Sequence, residues 1–236
     1  MAGLNFPILI ILGVLPSILW LVFFLRKDTH PEPNRLILLV FFLGAVVTIP
    51  TAVAENWFSS LLGFLPLSPE LSRLVFLFFG IALAEELAKY GVVRFTAMRT
   101  REVDEPIDLP LYMIVSALGF AALENVLALF GLNGIASSSQ VAILSGFRFV
   151  GAVFLHASTS GTFGYFLAVG KFQKRHGKKL FALGLFAAVT LHGFFNLTIM
   201  REGNGVQLLW PLAIVLTLAL FISLALNSLT KTYTHR

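Results

Sequence analysis

The sequence predicts an all-α membrane protein of about seven transmembrane helices, N-terminus outside and C-terminus inside, with a polar pocket between helices three and six. Three observations carry that prediction. Hydrophobic residues make up 57% of the 236 and charged residues 12%, whereas a soluble domain is about half apolar and about a quarter charged. The apolar residues fall into runs of roughly 20, the length that crosses a hydrocarbon core. The basic residues collect in alternate loops. Mean hydropathy is +0.87, and the loops leave no room for a soluble domain. Residues 1–236 therefore read as one integral domain surrounded by lipid bilayer.

The spans are 4–25, 35–55, 70–93, 109–131, 141–169, 179–200 and 207–229. The first has no basic n-region and no small-residue cleavage site before Arg26, so it reads as a helix and not as a signal peptide. The second follows a proline-rich loop, HPEPNR at 30–35, and the third carries the charged stretch EELAK at 85–89. In the fourth, GFAALENVLAL supplies small residues (Gly119, Ala121, Ala122) that let a neighbouring backbone approach closely. HASTSGTFG at 156–164 in the fifth is similarly small and hydroxylated, and is expected to accept a helix and leave room for a substrate backbone. The sixth contains HGFFN at 192–196, and the seventh carries no charged residue.

Orientation follows from arginine and lysine. Loops 26–34, 94–108 and 170–178, their flanks and the C-terminal tail hold 13 of the 17 basic residues. The net charge of +5 is thus largely a positive-inside signal, and nucleic acid binding is not expected. With no cysteine in the chain, disulfides, iron–sulfur clusters and thiolate zinc sites are excluded.

Within the spans a short set of polar residues remains: Glu85, Glu86 and Lys89, then Glu124 and Asn125, then Arg148 and His156, then His192 and Asn196. A charge at mid-bilayer costs roughly 2.5–3.5 kcal/mol on insertion scales, so such residues normally face a bundle interior or wet cavity and pair there. Glu85 and Lys89 stand at i,i+4, as do His192 and Asn196. Lys89 has a plainer reading as a side chain stretching to the interface, Arg148 as an anchor near its span end, and Asn125 as an interhelical hydrogen-bonding group. As a set, two histidines and several carboxylates suit hydrolysis of a peptide bond in or beside the membrane. Either a Zn²⁺ with an open position activates water, or a buried glutamate does so with histidine as partner. Glu85 and Glu86, about 100° apart on a helix, would divide the roles of orienting or ligating group and base.

Other chemistries use the sequence less well. The HExxH motif is absent, and the aspartates lie in loops or at their edges. A Ser160–His192 dyad would leave three glutamates unexplained. A non-catalytic scaffold and a proton-coupled transporter are the remaining alternatives. The second is weakened because no inverted repeat or Gly/Pro-broken helix pair is evident.

EELAK, GFAALEN at 119–125, RFVGAVFLHAS at 148–158, HGFFN and the HPEPNR loop together resemble the PrsW-type membrane proteases. These group with the type II CAAX prenyl endopeptidases and with the Aph scaffold subunit of gamma-secretase. The resemblance implies a polytopic helical protease, in the cell membrane if the source is prokaryotic, that cleaves a membrane-anchored regulator such as an anti-sigma factor. It places catalytic roles on Glu85, Glu86, His156, His192 and Asn196, with Lys89, Glu124, Asn125 and Arg148 in support. Under a metal mechanism the expected ligands are His156, His192 and Glu86, with Glu124 a further candidate. Tyr90 stands where the prenyl proteases carry arginine, which argues against a prenylated substrate.

Overall fold

The computed structural model describes residues 5–28, 30–132, 151–173, 176–199 and 209–233. Every regular element among them is helical. α1 is Phe6–Leu25 and α2 is Asn34–Leu62. α3 is a composite rod, α-helical over Pro69–Val75, π-helical over Phe76–Ala82 and α-helical again over Leu83–Phe95. α4 is Asp108–Leu132, α5 Val153–Phe172, α6 Gly177–Ile199 and α7 Leu209–Tyr233. These match the expected spans in number and order. The first part of the fifth span, including Arg148, lies outside the described residues.

Local chemistry sets the ends. Ser68 caps α3, its hydroxyl accepting from the backbone N–H of Leu71 at 3.3 Å, with Pro69 next in the first turn. Asp108 at the start of α4 accepts from the backbone N–H of Glu105 at 2.6 Å. α2 runs seven residues beyond the expected end at 55, to Leu62. In this polar extension Asn56 and Ser60 satisfy their side chains by donating back to the carbonyls of Ala52 and Asn56. At 1.5 Å per residue α2 is roughly 44 Å long, more than a hydrocarbon core needs. Glu55 therefore sits well inside the helix.

Among the described residues, α1, α2, α4 and α6 are long and apolar enough to qualify as membrane spans on their own composition. α3 is interrupted by its three charges, and α5 has little need of an apolar surface. Residues 153–164 of α5 are buried without a break, and α4 is also largely enclosed. This central pair is wrapped by the others: α1 and α2 pack on α4, and α6 and α7 on α5. The outer helices show lipid-facing stripes, as on α2, where Leu38, Phe42, Val46, Ile49, Val53 and Trp57 are exposed at helical spacing.

Glycine lets α2 and α4 touch. A β-carbon on Gly44 would collide with the carbonyl oxygen of Ser116, and one on Gly119 with that of Phe41. The close crossing places Thr48 where its hydroxyl meets the carbonyls of Gly44 and Phe120, each at 3.3 Å. Gly119→Ala is accordingly expected to destabilise the protein by about 1–3 kcal/mol through overpacking. A thermal midpoint in detergent equal to that of the wild type would overturn this account of the crossing.

Candidate active site

The inner half of α3 turns Glu85, Glu86 and Lys89 into the bundle, where all three are buried. α4 brings Glu124, α5 His156 and α6 His192, so four successive helices converge as the spacing led one to expect. Measured along their helices, these residues lie about 9–24 Å from the end that carries the basic loops, Lys89 nearest to it.

Lys89 is the centre of the cluster. Its Nζ donates to Oε2 of Glu85 and Oε1 of Glu86, each at 3.0 Å, and lies 2.8 Å from Nδ1 of His156. The same ammonium rests 4.6 Å from the centroid of the Phe120 ring. With 0% exposure it does not stretch to the interface. An ammonium can only donate, so His156 accepts at Nδ1 and its Nε2–H donates to Oε2 of Glu124 at 2.8 Å.

The adjacent glutamates have different surroundings. Glu86 is fully enclosed and accepts from Lys89, from Thr159 at 3.3 Å, from Ser160 at 2.6 Å and from Nδ1–H of His192 at 3.1 Å. That leaves Nε2 of His192 as an acceptor, 3.9 Å from Oε2 of Glu85. Glu85 is held only through Oε2, and among the described residues no protein group hydrogen-bonds its Oε1. Glu85 lines the cavity, and Glu86 does not.

The cavity has a volume of about 430 Å³ and is partly open. Glu85, His156 and His192 contribute its polar floor, with Glu124 and Asn196 on its walls. One wall comes from α2, through Thr48, Ala52 and Glu55. The sequence reading missed Glu55 because it drew the second span to end at that residue. The signal was a carboxylate in a helix whose polar continuation, ENWFSS, still has helical character.

The expectation for α5 needs correction. HASTSGTFG leaves no room for a substrate: all nine of its residues are buried, and a β-carbon on Gly164 would lie 2.6 Å from Cα of Pro110. The hydroxyls there brace Glu86 instead, and Ser160 is bonded to that carboxylate and not to His192. Asn125 is buried beside the site, on α4, and does not line the cavity.

Donor atoms of Glu85, His156 and His192 lie within 4.8 Å of one another. By donor type this is a two-histidine, one-carboxylate set of the kind that holds catalytic zinc. The converging carboxylate is Glu85, whereas the sequence reading named Glu86. Glu86 instead fixes the His192 ring from behind, as outer-shell carboxylates do for metal-binding histidines. The residues thus fit a metal in kind, on condition that Lys89 releases Nδ1 of His156 or that the ring presents its other nitrogen.

A family model described as PrsW family intramembrane metalloprotease matches residues 32–225. The chain is 31% identical to Protease PrsW of Oceanobacillus iheyensis, over 86% of this chain and 88% of that protein. It is 29% identical to Protease PrsW of Geobacillus kaustophilus, over 82% and 80%, and 26% identical to that of Bacillus subtilis, over 86% and 88%. No solved structure matches significantly. Among hydrolase, scaffold and transporter, these relatives select the hydrolase, an integral membrane protease. The chain belongs to the PrsW family of intramembrane metalloproteases.

Proposed function

We propose that this protease cleaves a membrane-anchored regulatory protein of anti-sigma-factor type, and that the cleavage occurs on the cavity floor with water activated by Glu85. The observation that carries the reading is the convergence of Glu85, His156 and His192 on one partly open cavity.

In this reading Oε1 of Glu85 takes a proton from water while the water oxygen attacks the scissile carbonyl carbon. The same carboxyl then gives that proton to the leaving amine nitrogen as the C–N bond breaks. Lys89 holds the other oxygen of Glu85 and keeps the carboxylate aimed at the cavity. Asn196, one turn beyond His192, donates its amide N–H to the developing oxyanion. Glu86 and Glu124 orient the two imidazoles. A zinc ion held by Glu85, His156 and His192 would supply Lewis-acid polarisation and a more acidic water.

A second reading, without metal, is favoured by one observation: Lys89 already sets a positive charge against two of the three donor groups. The two are separated by metal content. Chelator-free protein in detergent is expected to carry about one zinc per chain, and His192→Ala to lose it while remaining folded, with a cooperative thermal transition. Metal-free wild type that still cleaves a single-pass substrate in liposomes would establish the lysine-supported glutamate mechanism. Wild type that cleaves no membrane-anchored substrate, with or without zinc, would overturn both.

A further inference from the structure

A second carboxylate cluster lies at the basic-loop end, about 24 Å along α4 from Glu124. Asp28 and Glu32 come from the loop between α1 and α2, and Asp108 opens α4. Each sets a carboxylate oxygen within 4.8 Å of oxygens of the other two. Asp108 is 1% exposed and Asp28 9%, and Glu32 is half-buried.

Their partners leave a charge uncompensated. Asp28 accepts from the backbone N–H of His30 at 2.9 Å through Oδ1, but its Oδ2 is buried with no hydrogen-bond partner. Glu32 accepts from the hydroxyl of Tyr112 at 2.5 Å, and Asp108 from the N–H of Glu105. Glu32 and Asp108 set carboxylate oxygens within 4.8 Å of each other, a spacing at which two charged carboxylates repel unless a proton or a cation is shared between them. Burial pushes the carboxyl groups of Asp28 and Glu32 above their ordinary range, which measures what charging them alone would cost.

Among the described residues, no lysine or arginine makes an ion pair with any of the three. Lys171, which approaches, donates to the carbonyl of Val103 at 2.6 Å, Arg35 is exposed, and the ring of His30 pairs with Glu105 at 2.9 Å. An orphaned, enclosed carboxylate oxygen beside two more carboxylates is the donor arrangement of a hard cation. An all-oxygen set excludes the soft metals.

We propose that Asp28, Glu32 and Asp108 bind one hard divalent cation, Mg²⁺ or Ca²⁺, separately from the intramembrane histidine site. The ion ties three segments together: the α1–α2 loop, the loop preceding α4 (through Glu105) and α4 itself.

The test uses the full chain in detergent, stripped of metal, with Mn²⁺ as an EPR-visible probe and Mg²⁺ and Ca²⁺ as competitors. One saturable Mn²⁺ site is expected to persist in His192→Ala, to be displaced by Mg²⁺ or Ca²⁺, and to weaken more than about tenfold in Asp28→Asn and in Glu32→Gln. The His192→Ala measurement stands even if a loop variant fails to fold. The proposal is overturned if His192→Ala binds no Mn²⁺, or if a remaining site survives both loop substitutions. It is also overturned if Mn²⁺ leaves the thermal midpoint unmoved, as a proton-shared carboxyl cluster would require.

Discussion

Glu85→Gln is expected to lower cleavage by about 10²–10⁴-fold, the usual range for loss of a general base. The thermal midpoint should stay close to that of the wild type. Glutamine keeps an acceptor for Lys89, and Lys89 keeps its contact with Glu86, so no buried charge is left alone. What glutamine cannot do is take a proton from water. Turnover of a single-pass substrate in liposomes and a melting curve in detergent, on the same preparation, check both halves. A Glu85→Gln protein that cleaves at the wild-type rate would remove Glu85 from the chemistry.

Glu86→Leu is expected to fail in a different way, losing about 3–5 kcal/mol of stability because it removes one partner of a buried ion pair. Leucine is close in size, so the loss comes from polarity. Lys89, Thr159, Ser160 and His192 each lose the oxygen to which they donate, in a place that water does not reach. Adding Lys89→Met should not restore the stability, because it also strips the buried Glu85 carboxylate of its ammonium partner. It should recover no activity. Denaturation of the single and double variants measures both effects, and a Glu86→Leu protein as stable as the wild type would show that the network does not support the fold.

The contrast between these neighbours marks how far the sequence could be read. Hydropathy and loop charge were enough for the helices and their order, because a bilayer imposes length and apolarity on every segment. The expense of intramembrane charge was enough to gather Glu85, Glu86, Lys89, Glu124, His156 and His192 into one pocket. Nothing in the string EELAK, however, says which glutamate faces the cavity, since a step of about 100° between neighbours leaves both on the inner side. That distinction depends on Ser160 and Thr159, which are 73 or more residues away and become partners only when α3 and α5 pack. Glu55 was hidden for another reason. A polar helix end looks like a membrane boundary until the helix is seen to continue.

The π-helical stretch of α3 has a consequence for phase. A π turn holds about one residue more than an α turn, so the rod beyond Ala82 is rotated by roughly 100° from where an unbroken α-helix would have carried it. Before that point α3 shows Phe79 to the outside and tucks Gly80 against the ring of Phe58. After it, Glu85, Glu86 and Lys89 all point inward. Removing a single residue from Phe76–Ala82 would leave the hydropathy, the length and every charged residue of the span nearly as they are. It would also swing the acid and its lysine away from both histidines, so this family's chemistry is set here by a count of residues as much as by their kind.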